Sequence, residues 1–209
     1  MGATVEASIQ YASVPDSAAE EEEVFPGLNE PKRYEEVSVM FTDFVGFTNI
    51  VSTIPAKKLI EELNEIFGGF DEIVGKHNID KVKTIGDSYM VVAGLKDSGR
   101  EHAACCISAT KEMLKYLAKR NAKSIPKWDM RVGIHSGPVI GGVIGSDKLV
   151  FDLWGDTVNL ASRLESAGVA NKINISAYTH TFVEENFSCT YRGKVEAKGS
   201  GKIEMYFVN

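Results

Sequence analysis

Two short runs, Lys81-Val82-Lys83-Thr84-Ile85 and Ser88-Tyr89-Met90-Val91-Val92, are joined only by Gly86-Asp87. A two-residue Gly-containing turn between strand-like runs closes a hairpin. The two runs therefore pair antiparallel, and a sheet of this kind sets the frame for the rest. Val37, Val39 and Phe41 alternate with Glu36, Ser38 and Met40 and end in Thr42-Asp43, a further strand. A Gly-containing turn at 44–46 opens a helical stretch over 47–77, which Pro55 restarts. Ser98 is placed to cap a helix through Arg120, with Ala103, Cys106, Ile107, Thr110, Leu114 and Leu117 on one face. Arg131 to Ser136 and Val139 to Ile144 read as two strands split by Gly137-Pro138. Asp156 is placed to cap a helix through Leu164. Strands over 172–175, 188–195 and 203–208 close the chain. Helices and hairpins mixed in this order predict an α+β fold, with helices layered on a mostly antiparallel central sheet.

Residues 1–33 read differently. They carry an acidic run, Glu20 to Glu23, three prolines, and apolar residues without a sustained period. Such a segment is expected to be a flexible acidic linker or tail, leaving 34–209 as the folded domain. The Met-Gly start before a linker-like stretch suggests a domain cut from a longer protein. Among 209 residues, 29 acids oppose 23 bases for a net charge of −6, which disfavours a general nucleic-acid or anionic-membrane binder. Any polyanion must be met by a local site. Three cysteines, two of them adjacent, fit neither a disulfide scaffold nor a metal spacing, and suggest reduced thiols in the cytoplasm. No apolar run approaches the ~18 residues of a membrane span, so the chain itself is expected to make no membrane contact, although a parent receptor could be membrane-bound.

Asp43 sits just past a strand and Asp87 on the hairpin turn. Carboxylates at strand ends are stiffly held, which suits Mg²⁺, a hard ion that prefers oxygen ligands. If the two strands pair, both carboxylates reach one edge and can bridge two ions, a device that stabilises both attacking and leaving oxygens in phosphoryl displacement. A turn Asp alone is ordinary turn chemistry. Phe44-Val45-Gly46-Phe47-Thr48 can expose backbone N–H groups to phosphate oxygens, or be a plain strand-to-helix turn. Asn159 and Arg163, at i and i+4, share a helix face and can orient a ribose and neutralise phosphate charge, or form a solvated polar stripe. Lys198, in Ala197-Lys198-Gly199-Ser200-Gly201, lies on a loop where a lysine can reach phosphates. The four histidines show no ligand spacing, and Trp128 and Trp154 read as core or interface aromatics.

Together, Phe41 to Thr48, Lys83 to Met90, Arg131 to Gly137 and Trp154 to Arg163 resemble the four motifs of the class III nucleotide cyclases, in that family's order and over about 35–209. The resemblance implies a ferredoxin-like, palm-like cyclase fold that makes a 3′,5′-cyclic nucleotide from a nucleoside triphosphate. It implies that Asp43, Asp87 and the Phe44 carbonyl bind two Mg²⁺ or Mn²⁺ per site. Arg131 and Lys198 would hold the β- and γ-phosphates, Asn159 the ribose, and Arg163 the charge on the α-phosphate. The family's sites lie between two domains. Both half-sets occur in this one chain, so a head-to-tail homodimer with two composite sites is expected, and a monomer should be inactive.

Lys83 and Asp152 match the family's two base-specificity positions. Adenine offers an acceptor at N1 and a donor at its 6-amino group, which an ammonium and a carboxylate complement. Guanine offers the reverse, so the pair predicts ATP as substrate and adenylyl cyclase as activity. The surrounding motifs look more like guanylyl cyclases, above all the cyclase domains of fungal rhodopsin–guanylyl cyclases. Guanylyl cyclase activity on the same scaffold is the alternative. A nucleotide-binding pseudo-cyclase would lack a metal Asp, Asn159 or Arg163, and all are present. The Gly-Gly-acidic hairpin of diguanylate cyclases is absent, since Gly86-Asp87 stands in its place.

Overall fold

A computed structural model describes residues 30–96, 99, 101–146, 149–197 and 201–209. The elements run β1 (Lys32–Phe44), α1 (Phe47–Val51), α2 (Ala56–Lys76), β2 (Asp80–Ile85), β3 (Ser88–Ala93), α3 (His102–Asn121) and β4 (Met130–Ile144). They continue with β5 (Val150–Trp154), α4 (Asp156–Ser166), β6 (Ile173–Ser176), α5 (Ala177–His180), β7 (Cys189–Ala197) and β8 (Gly201–Val208). Among the described residues they form one eight-stranded sheet in the order β2-β3-β1-β4-β6-β8-β7, with β5 paired to β4. Only β4 and β6 run parallel, so the expected α+β architecture on a mostly antiparallel sheet is what the chain adopts.

The β2–β3 hairpin closes as its sequence predicts: Ile85 pairs with Ser88, and Gly86 takes φ +63°, a left-handed conformation that glycine adopts without steric cost. β1 is buried on both faces. Val37, Val39 and Phe41 pack with Met90, Val92, Leu153 and Ala161 on one side. Met40 and Phe44 pack with Ile66, Phe70, Ile107 and Met113 of α2 and α3 on the other. The alternation in β1 therefore separates two cores rather than core from solvent. Ser38 is tolerated inside because its hydroxyl meets His102 Nδ1 at 2.8 Å and the Ser136 hydroxyl at 2.7 Å.

Several boundaries differ from the sequence reading. Lys32 and Arg33, assigned there to the tail, are the first residues of β1 and pair with Gly141 and Ile140. Arg131 to Ile144 is one strand, not two. Pro138 cannot donate to a ladder, and β1 shifts register between Tyr34 and Val37 on the far side of that position. β5, which the reading missed, is a five-residue run between loops. Ser98 lies outside the described residues, and Glu101 occupies the N-cap position of α3. Asp156 is the first residue of α4 rather than its cap, where Gly155 stands. Its charge still complements the helix N-terminus.

One close approach fixes the sheet against α4. A Cβ built on Gly133 would stand 2.0 Å from the Glu165 nitrogen and 2.5 Å from the Ala161 carbonyl oxygen. Only glycine lets the helix backbone settle onto β4 there. Gly133→Ala is expected to lose at least about 3 kcal/mol of stability, at the upper end of overpacking costs, because backbone rather than a side chain must move. Urea denaturation of the two chains checks this; a loss within ~0.5 kcal/mol would contradict the packing.

Candidate active site

Asp43 is half-buried between Thr42 and Phe44, the last buried residues of β1, and Asp87 follows the left-handed Gly86 in the β2–β3 turn. β1 pairs antiparallel with β3, the second strand of the hairpin that carries Asp87, as the condition posed from sequence requires. Tyr89 of β3 stands opposite Thr42 of β1 and Thr84 of β2. The turn thereby delivers Asp87 to the end of β1, where its carboxylate accepts from the Phe44 N–H and reaches the Asp43 carboxyl. Burial, and then the Asp43 charge, push the Asp87 carboxyl up to about 6. Two carboxylates crowded in this way attract cations, and oxygen donors suit a hard divalent ion. Among the described residues no cluster of three or more His, Cys, Asp or Glu side chains could hold a metal. A site here has only this carboxylate pair.

Arg131 is the direct cross-strand neighbour of Asp43. Its Nη2 donates to Asp43 Oδ2 at 2.5 Å and its Nε to Glu165 Oε1 at 2.8 Å. Asp43, Phe44, Gly46, Phe47, Thr48, Asn49, Asp87 and Arg131 line one cleft of about 270 Å³. Gly46, at φ +71°, starts α1. The amides of Gly46, Phe47 and Thr48 meet no described backbone carbonyl, whereas Val45 N–H is taken by the Asp129 carbonyl at 2.8 Å. Val45 thus differs from its neighbours: its N–H is not available to a phosphate, and it does not line the cleft.

The cleft floor is aromatic. Trp128, fully buried, sits with ring centroids 5.1 Å from Phe44 and 6.1 Å from Phe47. Its Nε1 donates to Glu62 Oε2 at 2.9 Å, and Arg120 Nη2 meets the same oxygen at 2.5 Å. Trp128 is thus the core aromatic expected from sequence, with a polar contact that the sequence did not reveal. Trp154, by contrast, is well exposed on the β5 edge.

The remaining candidates lie elsewhere. Lys83 Nζ of β2 and Asp152 Oδ2 of β5 meet at 2.5 Å, and Asp152 Oδ1 accepts from Leu153 N–H at 2.8 Å. Asn159 is exposed and Arg163 half-buried on α4. Neither side chain bonds to another described residue, and neither lines the cleft with Asp43. Lys198 lies outside the described residues. Neither the Lys83–Asp152 pair nor the α4 residues Asn159 and Arg163 thus share the cleft that holds Asp43, Asp87 and Arg131. Glu165, which grips Arg131, was not singled out from sequence. It follows Arg163 by two positions on a helix, about 200° around, and only its contact with β4 reveals it. His135 Nδ1 meets the Ser176 hydroxyl at 2.7 Å, and burial pushes its imidazole down to about 4. All three cysteines are free thiols.

Residues 29–209 match the family described as the adenylate and guanylate cyclase catalytic domain. The chain is 37% identical over 185 residues to human retinal guanylyl cyclase 2, covering 86% of this chain and 17% of that protein. It is 34% identical over 187 residues to an adenylate cyclase of Mycobacterium bovis, covering 87% of this chain and 42% of that one. The chain thus spans less than half of these relatives. The guanylate cyclase domain of RhGC from Catenaria anguillulae, solved in complex with GTP, superposes with a TM-score of 0.81 at 34% identity, over 85% of this chain and 98% of that domain. Sequence and fold thus agree, and the chain belongs to the class III adenylyl/guanylyl cyclase family.

Proposed function

We propose that two copies of this chain associate head to tail and convert ATP into 3′,5′-cyclic AMP and pyrophosphate. The observation that carries the choice of base is the Lys83–Asp152 pair: an ammonium and a carboxylate 2.5 Å apart at the two positions that resemble the family's base pocket. Together they offer a donor to adenine N1 and an acceptor to its 6-amino group. Guanine would place like against like, and buried groups left unpaired in this way reject the wrong ligand by about 10⁴.

Association is supported by the absence of Lys83, Asp152, Asn159 and Arg163 from the Asp43 cleft and by an exposed apolar ribbon. Ile140 pairs with Trp154 and Ile144 with Val150 across β4 and β5, and all four are well exposed. In the proposed dimer, Asp43, Asp87 and Arg131 of one copy face Lys83, Asp152, Asn159, Arg163 and Lys198 of the other.

Asp43, Asp87 and the Phe44 carbonyl would hold two Mg²⁺ or Mn²⁺ ions. Such ions, when bound, neutralise the triphosphate and favour the ionised 3′-hydroxyl. Arg131, Lys198 and the free amides of Gly46, Phe47 and Thr48 bind the β- and γ-phosphates. Asn159 fixes the ribose so that its 3′-oxygen lies in line with the α-phosphorus, and pyrophosphate departs on the opposite side. The Arg163 guanidinium offsets the charge that accumulates on the α-phosphate. Catalysis of this type rests on positioning and charge neutralisation. The free thiols fit a reducing cytosol, and among the described residues no helix is long and apolar enough to cross a membrane.

Incubating the chain with Mn²⁺ and either ATP or GTP, and identifying the product by chromatography, tests the proposal. Cyclic AMP from ATP is expected. Cyclic GMP from GTP in excess would overturn the base assignment, and nucleotide binding without turnover would leave a pseudo-cyclase.

A further inference from the structure

α4 presents different residues on its two sides. Asn159 and Arg163 face outward, while Glu165 is turned onto the sheet, 6% exposed, with its backbone nitrogen against Gly133. Its carboxylate has two partners: Arg131 Nε at 2.8 Å on Oε1 and the Ser166 hydroxyl at 3.2 Å on Oε2. Burial pushes this carboxyl up, and Arg131 opposes the push. A carboxylate held in such a position at a desolvation cost needs a reason.

The geometry of the guanidinium supplies one. Arginine presents five N–H donors in a rigid plane. Fixing Nε stops rotation about the Cδ–Nε bond and sets where the terminal edge, Nη1 and Nη2, points. That edge lies at the cleft, where Nη2 meets Asp43. Asp43 is itself a proposed cation ligand, so its grip on Nη2 is exchangeable. Glu165 has no second task, and its contact with Nε persists whatever Asp43 binds.

We infer that Glu165 is a positioning residue: it clamps Arg131 through Nε so that the terminal edge of the guanidinium stays aimed at the polyphosphate end of the substrate. The inference rests on the reading of Arg131 as a phosphate ligand. In the proposed dimer it also gives α4 two duties, since its outer face serves the partner's cleft while Glu165 organises the cleft of its own chain.

The test is pyrophosphate binding by isothermal titration, with and without Mn²⁺, alongside KM and kcat for ATP. Glu165→Met is expected to weaken pyrophosphate binding and raise KM on the order of tenfold, the size of one lost charge-assisted hydrogen bond, with a smaller change in kcat. Glu165→Gln retains an acceptor for Nε and should stay within about threefold of the parent chain. In an Arg131→Ala background, Glu165→Met should have no further effect, because the residue acts only through Arg131. Additive losses would overturn the inference, as would unchanged pyrophosphate binding in Glu165→Met when Arg131→Ala weakens it. If Arg131→Ala itself leaves pyrophosphate binding intact, the phosphate role of Arg131 falls, and the clamp with it. Should Glu165→Met fail to fold by circular dichroism, Glu165→Asp decides by the same measurements, since it keeps the charge but shortens the reach by one methylene.

Discussion

Chains bearing Asp43→Ala and chains bearing Arg163→Ala are each expected to lose on the order of 10²–10³ in turnover, the cost of removing one group that meets developing charge. An equimolar mixture of the two should recover roughly a quarter of wild-type activity. Random pairing makes half of the dimers mixed, and each mixed dimer has one intact cleft of two. The expectation comes from the separation seen in a single chain. Asp43, Asp87 and Arg131 line one cleft, while Arg163, on α4, is not among its lining residues. A mixture as inactive as either parent, with dimers shown by sedimentation, would remove the composite site.

Lys83→Glu combined with Asp152→Cys should turn nucleotide preference from ATP to GTP. The change in the ratio of kcat/KM values should approach 10⁴ if both positions read the base, and about 10² if only one does. The two substitutions will not act independently. Lys83 and Asp152 are in direct contact, so Lys83→Glu alone sets two carboxylates side by side, and Asp152→Cys alone leaves an ammonium without its counter-charge. Each single variant is therefore expected to be less active than the double variant toward GTP, with a coupling energy of about 0.5–3 kcal/mol. Initial rates with both nucleotides measure it, and a double variant that still prefers ATP would move base recognition elsewhere.

Local chemistry explains what was legible in the sequence. Gly86-Asp87 between β-rich runs fixed a hairpin, and Pro55 marked where α2 begins. The apolar face of α3 was readable because Ala103, Cys106, Ile107, Thr110 and Leu117 recur at helical spacing and are buried. What escaped depends on residues far apart in the chain. Pro138 looked like a strand end, but the break lies in the register of β1 opposite it. Val150 to Trp154 is too short to identify without the β4 partner that pairs with it. The proposed site shows the same division. Asp43 and Asp87 stood out by type and placement. Glu165 did not, because its contact with Arg131 spans 34 positions and carries no local pattern.

The Arg131–Asp43 pair has a consequence for the order in which ligands arrive. A free cleft already holds a tethered positive group against its carboxylates. On the proposed chemistry, a lone divalent ion would have to compete with Nη2 for Asp43 and leave that edge unpaired while Nε stays on Glu165, and a lone triphosphate would approach a carboxylate pair with no ion between them. Neither guest alone finds a welcoming host. A magnesium–nucleotide complex would satisfy both groups together, with Asp43 holding the ion and the freed edge of Arg131 facing the polyphosphate. The resting protein would then ignore fluctuations in free magnesium and respond only to the magnesium–nucleotide complex.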